Sequence, residues 1–254
     1  MRKSIDFGLD KLDFGFDAGF GRDIGFGFRA DAQEGGNAQE RRERANAKRL
    51  KLRGSGLDNM FDMDPESADE WGIPRTEPFT GDLDGVEWAS FNQKEKIIDL
   101  SNIGVHHYIE DYQFTVHWTK PDKYLPLFRQ CRAVVSVDYS NFQDMPKAQQ
   151  LWNHYRRQWL AKYWQQRGVS IVSSLSWAQG QIFEWSFAGI PQGTACATSF
   201  VCDRLDKGKA LDELLLVIDA LKPTKLLIKA NDTDADFLSK HVDFDQIKPY
   251  NWRR

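Results

Sequence analysis

The chain has 254 residues, with 34 Lys and Arg against 37 Asp and Glu, and a formal net charge of -3. This length suits one or two domains, and 41% hydrophobic residues supply enough apolar side chains for a core, which excludes a fully disordered chain. No run approaches the ~20 apolar residues that span a bilayer, and Gly and Asp interrupt the segment after Arg2 and Lys3, so neither a membrane span nor a secretory signal peptide is expected.

The three cysteines, Cys131, Cys196 and Cys202, are too sparse for a disulfide framework or a zinc site built on cysteines. They suit a reducing compartment, and a cytoplasmic location is therefore expected. The net charge excludes a uniformly basic surface for nucleic acid, but it leaves room for a local basic patch.

Residues 1–35 repeat a loose Gly-Phe theme, as in Asp13-Phe14-Gly15-Phe16 and Gly25-Phe26-Gly27-Phe28. So many glycines favour neither a helix nor a strand, which predicts a disordered arm. Its phenylalanines can bind weakly to each other or to a groove on a partner. The alternative is a disordered tail whose phenylalanines have no specific role.

Residues 38–53 are rich in helix-forming residues, and residues 41–53 contain seven basic residues against the single acidic Glu43. Such a helix has no apolar stripe to pack on a core, and it can lie along the phosphates of a nucleic acid or on another polyanion. The alternative is a solvated helix that separates the arm from the domain. The residues predicted to bind nucleic acid are Arg41, Arg42, Arg44, Lys48, Arg49, Lys51 and Arg53. We therefore assign residues 1–56 to the arm and basic helix, residues 57–85 to an acidic, Pro-containing linker, and residues 86–254 to a globular domain.

Residues 86–254 alternate strand and helix patterns. Apolar and β-branched runs predict strands at residues 103–109, 133–137, 169–175, 194–200 and 225–229. Helices are predicted at residues 121–130, 147–167 and 207–222, and residues 181–187 are ambiguous between a short helix and irregular structure. The helix at 147–167 is the clearest, because it follows Asp144-Met145-Pro146 and precedes Gly168. Leu151, Tyr155, Trp159 and Tyr163 predict its apolar stripe.

Five such βα units predict a parallel sheet with right-handed crossovers. Five units are too few for a complete eight-stranded barrel, although residues 86–102 can supply one more element. The expected fold is α/β, with either an open sheet or a partial barrel.

Functional residues of parallel α/β folds lie at the carboxyl ends of the strands. Asp111 and then Tyr112 follow the first predicted strand, and Asp138 and then Tyr139 follow the second. If these strands are neighbours, the two carboxylates approach each other and can divide acid and base roles or hold a divalent cation. The alternative is that each Asp caps the following turn through a side-chain oxygen.

Three more residues complete the candidate catalytic set. Trp177 lies near the end of the third predicted strand, and Asn153 and Arg156 lie in the first half of the long helix, near Asp138. Arg156 can bind an anion or pair with Asp138, and the alternative is a surface arginine or a structural ion pair.

The histidines do not predict a metal site. His106 and His107 are adjacent on a strand and point to opposite faces, and His117 is isolated in the sequence. There is also no phosphate-binding glycine loop, nucleophile elbow or zincin helix. The cofactor therefore stays unassigned, with a divalent cation at the two aspartates as the one candidate.

Several motifs occur in the order of a known family. They are Asp111-Tyr112-Gln113-Phe114 with Trp118, Pro121 and Tyr124; Asp138, Ser140 and Asp144-Met145-Pro146; Trp152-Asn153 with Tyr155-Arg156; and Gly168, Trp177 and Phe187 with Gly189-Ile190-Pro191. Residues 103–230 thereby resemble the domain-of-unknown-function family forty-four-seventeen, found mainly in tailed phages, plasmids and integrated elements of bacteria. The resemblance implies a mobile-element setting in a bacterial host cell, and it implies no activity.

Two classes of function follow for a phage or mobile-element accessory protein. The first is an enzyme that acts on nucleotides or nucleic acid at the carboxyl ends of the strands. The alternative is a non-enzymatic module, which binds nucleic acid through the basic helix or docks on a virion or other phage protein through the Phe/Gly arm.

Overall fold

The computed structural model of the chain describes residues 70–97, 99–200 and 206–251. The chain divides into two units, Met1–Asn46 and Ala47–Arg254, and every described residue lies in the second. The predicted Phe/Gly arm and basic helix lie outside the described residues, so their proposed roles stay predictions. This applies to Arg41, Arg42, Arg44, Lys48, Arg49, Lys51 and Arg53.

Seven parallel strands form one sheet in which the spatial order follows the sequence. The strands are β1 (Glu87–Ser90), β2 (Ile103–His106), β3 (Ala133–Val135), β4 (Ile171–Leu175), β5 (Ala195–Ser199), β6 (Lys225–Lys229) and β7 (Asp245–Gln246). The predicted α/β fold with a parallel sheet is therefore confirmed, with two more strands than expected. β1 is the additional element anticipated within residues 86–102, and β7 has only two residues, too few for a periodic signal.

Among the described residues, five α-helices connect these strands: α1 (Val116–Thr119), α2 (Leu125–Phe128), α3 (Lys147–Gln165), α4 (Lys207–Leu221) and α5 (Asp232–Leu238). The predicted helices at 147–167 and 207–222 are confirmed as α3 and α4. The helix predicted at 121–130 is reduced to α2, residues 181–187 form turns and an isolated bridge, and α1 and α5 were not anticipated. Within the described segments, no helix combines the length and the apolar character that a membrane span requires.

The sheet curls into part of a barrel. Trp88 of β1 and Gln246 of β7 line one cavity, although the six strand spacings of ~4.8 Å between these edge strands would hold them ~29 Å apart in a flat sheet. Gly104 of β2 leaves room for the Trp88 ring, since a Cβ at this position would come within 2.4 Å of it. The cluster on this inner face comprises Leu83, Trp88, Ala133, Val135, Val172, Ala195, Ala197, Leu227 and Ile247.

The alternate residues of the strands face outward, toward the helices. Val105, Val134 and Ile171 pack in one cluster with Trp159 and Trp164 of α3. Cys196, Leu226 and Ile228 pack in another with apolar residues of α4, such as Leu214 and Val217. The two faces therefore have separate cores, and the carboxyl ends of the strands are left for polar side chains.

Part of the predicted linker packs on the domain. Ile73 and Leu83 are buried, and the Thr76 backbone N–H donates a hydrogen bond of 2.9 Å to the carbonyl of Gly189. An added Cβ at Gly189 would lie 2.4 Å from the Pro74 carbonyl oxygen. The domain boundaries themselves stay a prediction.

Candidate active site at the carboxyl ends of the strands

A cavity of about 110 Å³ opens at the carboxyl ends of β3, β4 and β5. Such a volume is smaller than the ~300–1,000 Å³ of most ligand pockets, so it suits one small chemical group. Its walls combine hydroxyl and carboxyl groups with aromatic rings. They are formed by Asp138, Leu175, Ser176, Trp177, Gln179, Thr198, Ser199, Phe200, Ala210, Glu213 and Leu214.

Asp138 is the central titratable group of this cavity. Burial raises the pKa of its carboxyl from 3.8 to about 6, and the negative charge of Asp111 adds to the rise, while Arg157 opposes it. The hydroxyl of Ser174 donates a hydrogen bond of 3.3 Å to the Asp138 carboxylate. Because the hydroxyls of Tyr108 and Ser174 lie 3.4 Å apart, Tyr108 can donate to Ser174 and thereby extend a hydrogen-bonded chain to Asp138.

Arg157 of α3 lies behind Asp138 and is completely buried. Its guanidinium donates to the carbonyls of Val137 and Tyr139, at 3.2 and 3.3 Å, and approaches the Asp138 carboxylate to 3.9 Å. Burial lowers the pKa of Arg157, and Asp138 opposes this shift. The guanidinium thus fixes the backbone on both sides of Asp138 and supplies the nearest positive charge.

The sequence analysis gave Asp138 as one possible partner of the neighbouring arginine, Arg156, but the arginine that approaches Asp138 is Arg157. Arg156 donates to Asn153 at 2.5 Å and lies 3.9 Å above the ring of Tyr139. Helical spacing could have identified Arg157. Positions 153, 157, 160 and 164 share one face of α3, and the apolar Leu160 and Trp164 indicate that this face points toward the core.

The buried face of α3 differs from the predicted stripe in its first half. Asn153, His154, Arg157 and Gln158 are buried there, whereas Leu151 and Tyr155 are only partly buried. The reason is that this half of the helix packs against strand-end loops, whose carbonyls need donors. His154 Nε2 and Gln158 Nε2 both donate to the carbonyl of Ala188, at 2.8 and 3.1 Å.

Asp111 and Asn153 hold the turn that follows Asp138 and do not line the cavity. The Asp111 carboxylate accepts hydrogen bonds from the backbone N–H and the hydroxyl of Ser140, and the Asn153 amide donates to the Ser140 carbonyl at 2.8 Å. Asp111 therefore binds the turn of the neighbouring loop after β3 and not the turn that directly follows it in the chain, and its charge acts on Asp138.

Trp177 lines the cavity, together with a carboxylate that the sequence prediction missed. The indole N–H donates to Glu213 at 2.9 Å, and the other oxygen of Glu213 accepts from the Gly180 backbone N–H at 2.6 Å. Glu213 is buried within the apolar stripe of α4, between Ala210 and Val217. A carboxylate at an apolar position of a helix pattern indicates a buried acid whose oxygens accept hydrogen bonds, so the sequence contained a signal for Glu213.

The histidines lie on both faces, as predicted for His106 and His107, but His117 is not isolated. Its Nε2 lies 3.2 Å from Nε2 of His107, whose Nδ1 lies 2.9 Å from the Val135 carbonyl. A carbonyl only accepts, so neutral His107 carries its proton on Nδ1, and His117 donates to its Nε2. Burial lowers the pKa of His107 to about 4 and that of His117 well below 6.5. Among the residues that the structure describes, no three His, Cys, Asp or Glu side chains converge in a set able to hold a metal ion.

Comparison with known proteins gives a family of unknown function. The profile of that family, Domain of unknown function (DUF4417), matches residues 65–248. It covers all seven strands and all residues of the cavity. No solved structure matches the chain.

Two similar curated proteins are encoded by mycobacteriophages. The Gene 1 protein of Mycobacterium phage L5 is 35% identical over 193 residues, which cover 73% of this chain and 80% of the phage protein. The Gene 1 protein of Mycobacterium phage D29 is 28% identical over 164 residues, which cover 63% of this chain and 61% of that protein.

Proposed function

The chain belongs to the DUF4417 family, and from that premise we propose that it is a phage accessory enzyme that performs acid–base chemistry on a nucleotide or on a nucleic acid. The reaction takes place in the cavity at the carboxyl ends of β3, β4 and β5. Asp138 is the group that exchanges a proton with the substrate.

The observation that carries this proposal is the environment of Asp138. A general acid or base is most effective when its pKa lies near the working pH, and the pKa of about 6 brings the Asp138 carboxyl close to neutrality. The same carboxyl lines a cavity and is held by Ser174 and by the nearby Arg157. A buried acid with a perturbed pKa in a concave site is a typical catalytic arrangement.

The other predicted residues have supporting roles in this proposal. The aromatic face of Trp177, fixed by Glu213, is suited to pack against a flat or apolar part of the substrate. Asp111 and Asn153 position the Ser140 turn, and Arg156 holds Asn153 and covers Tyr139. These three are therefore positioning residues rather than catalytic residues. The divalent cation expected between Asp111 and Asp138 is not part of the proposal, because Asp111 binds Ser140 and does not line the cavity.

The test is turnover by the full-length chain on a panel of nucleotides and short single-stranded oligonucleotides, followed by chromatography. Asp138→Asn should lower the rate at least about 100-fold, the usual effect of losing a general acid or base. The matched control is Asp144→Asn, an exposed carboxylate in the same loop, which should retain the rate. The proposal is contradicted if Asp138→Asn reacts at the wild-type rate. It is also contradicted if the wild-type chain converts none of the nucleotides or oligonucleotides.

A second candidate function rests on the basic segment. Seven basic residues against one acidic residue within residues 41–53 favour contact with phosphates. In that case the chain binds nucleic acid without catalysis, or the segment tethers the enzyme to its substrate. Docking of the Phe/Gly arm on a phage protein is the third alternative, and its residues lie outside the described part of the chain.

A further inference from the structure

We propose that the inner face of the sheet carries an anion subsite beside the catalytic cavity, formed by His106, Ser199 and Lys229, and that it binds the phosphate group of the substrate. This inference rests on the proposed function, because it identifies the substrate as a phosphorylated one. The three side chains belong to β2, β5 and β6, and the curl of the sheet brings these strands around one concave space.

Alternation along the strands places all three side chains on the inner face. His106 is two residues after Gly104, which lies against the Trp88 ring. Ala197 and Leu227 belong to the inner cluster. Ser199 and Lys229 follow them by two residues on the same strands and therefore lie on the same face. Ser199 and Lys229 are also direct partners in the register of β5 and β6.

His106 presents a hydrogen-bond donor to this space. Its Nδ1 accepts a hydrogen bond of 3.3 Å from the Tyr108 backbone N–H, so the neutral ring carries its proton on Nε2. The ring is 4% exposed, and no described residue accepts from Nε2. The residue is held in the neutral form because burial lowers its pKa to about 3, with smaller effects of His107 and Lys229.

Lys229 contributes the positive charge. It is half-buried, and among the described residues no carboxylate pairs with it. Lys225, four residues earlier on the same face of β6, lies 2.5 Å from Asp84 and 3.0 Å from Asp245. Lys225 is therefore neutralised by carboxylates, and of the two lysines only Lys229 has a charge available to a ligand.

The curl of the sheet, in which Trp88 of β1 and Gln246 of β7 line one cavity, brings the inner faces of β2 and β6 toward each other, and the charge of Lys229 accordingly contributes to the lowered pKa of His106. In a flat sheet, the four spacings from β2 to β6 would separate them by ~19 Å, a distance at which solvent largely screens the interaction. Across the curled sheet, the two residues and the Ser199 hydroxyl can present donors to one anion from opposite sides. Three donors, one of them cationic, are typical of a phosphate site.

The position of Ser199 connects this subsite to the cavity. Ser199 is exposed and lines the cavity together with Asp138, and Lys229 lies one strand spacing of ~4.8 Å beyond it. The described walls of the cavity contain two carboxylates and no lysine or arginine, so a phosphate is disfavoured inside it. A phosphorylated substrate would therefore place its anion at Lys229 and its reacting group at Asp138.

The experiment is a titration of the full-length chain with inorganic phosphate at low ionic strength, followed by ¹H–¹⁵N NMR of the histidine rings. Lys229→Gln should weaken phosphate binding at least about tenfold, the effect of losing one charge-assisted hydrogen bond. Lys225→Gln is the matched control, with the same change on the same strand face, and it should bind phosphate as the wild type does. Saturable binding that shifts the His106 resonances supports the subsite.

Three results would overturn the inference: equal weakening in both lysine variants, unchanged binding in Lys229→Gln, or tighter binding of acetate than of phosphate. Asp138→Asn separates this inference from the proposed function. It should bind phosphate at least as well as the wild type while losing turnover. An inactive wild-type chain that still binds phosphate through Lys229 contradicts the proposed function and retains the subsite.

Discussion

The guanidinium of Arg157 lies 3.9 Å from the carboxylate of Asp138, and Arg157 is fully buried while the Asp138 side chain is 19% exposed. This distance is too long for a hydrogen bond, so the arginine acts on the aspartate by charge and donates its hydrogen bonds to the Val137 and Tyr139 carbonyls. One residue of α3 thus sets both the position of the loop after β3 and its electrostatic environment.

Replacing this arginine should destabilise the fold strongly. Arg157→Met leaves two strand-end carbonyls without their donor and Asp138 without its nearest positive charge, and breaking such a buried arrangement costs about 3–5 kcal/mol. The matched control is Arg156→Met, which loses one hydrogen bond and the stacking on Tyr139, at about 1 kcal/mol. Urea unfolding of both variants at pH 7 measures the difference, and equal losses would show that Arg157 has no special role.

The raised pKa of Asp138 should appear in the pH dependence of stability. The carboxyl titrates near 3.8 when unfolded and near 6 when folded, so its contribution to stability is complete below pH ~4 and lost as the pH rises through ~6. Asp138→Asn has no titratable carboxyl at this position, so it does not lose this stability as the pH rises. The free energy of unfolding of the variant, relative to wild type, should therefore increase by about 2 kcal/mol between pH 4 and pH 7. A pH-independent difference would mean that the carboxyl titrates normally.

Much of this arrangement was predictable, because the βα alternation determines where the strands end. The β-branched run at 133–137 and the turn after it placed Asp138 at a strand end, and Pro146 and Gly168 bounded α3 closely, although the expected cap residue Asp144 lies outside the helix start and Pro146 is the N-cap. The choice between Arg156 and Arg157 was not predictable from charge alone. It depends on which face of α3 meets the loops after β3 and β4, and that face buries polar groups, which apolar periodicity does not reveal.

The short elements were missed for a different reason. β7 and α1 have two and four residues, about one period of the respective strand and helix patterns, which is too short for a repeat to be seen. They form because the neighbouring β6 and the core cluster provide partners. The contact between His107 and His117 is likewise a product of tertiary packing, since α1 brings His117 to β2. Sequence spacing alone gave no sign of it.

The buried histidine pair should make the domain sensitive to acid. The pKa of His107 falls from 6.5 to about 4 on folding, so its contribution to stability is present above pH ~6.5 and lost as the pH falls toward ~4. His117→Phe leaves His107 Nε2 without a donor, which costs about 1–3 kcal/mol at pH 7. It also removes one buried histidine, so the decline in stability between pH 7 and pH 4 should become shallower. The control is His241→Phe, at an exposed position, which should change stability by less than about 0.5 kcal/mol. If thermal unfolding gives the same stability for both variants, the proposed role of the His107–His117 pair is contradicted.

Glu213 should control the orientation of Trp177 more than the stability of α4. In Glu213→Gln, only one oxygen remains for two donors, so either Trp177 or Gly180 loses its acceptor. We expect the Trp177 indole N–H resonance to shift, a loss of about 1–3 kcal/mol in stability, and weaker substrate binding. The resonance can be assigned with Trp177→Phe. Asp212→Asn changes the adjacent exposed carboxylate of α4 and should leave the indole resonance in place; a shift in both variants would count against a specific role of Glu213.

The basic segment can be tested through salt dependence in the full-length chain. Each phosphate contact contributes about 0.9 to the slope of log K against log salt on duplex DNA. Replacing Arg41, Arg42 and Arg44 by Gln should therefore lower the slope by about 2–3 and weaken binding at low salt. The control replaces three exposed lysines of the folded unit, Lys120, Lys240 and Lys248, by Gln, with the same change of net charge. Net charge alone would affect both variants equally. A loss of affinity confined to the arginine variant therefore assigns the phosphate contacts to this segment. Equal losses of affinity exclude the segment as the specific nucleic-acid-binding element.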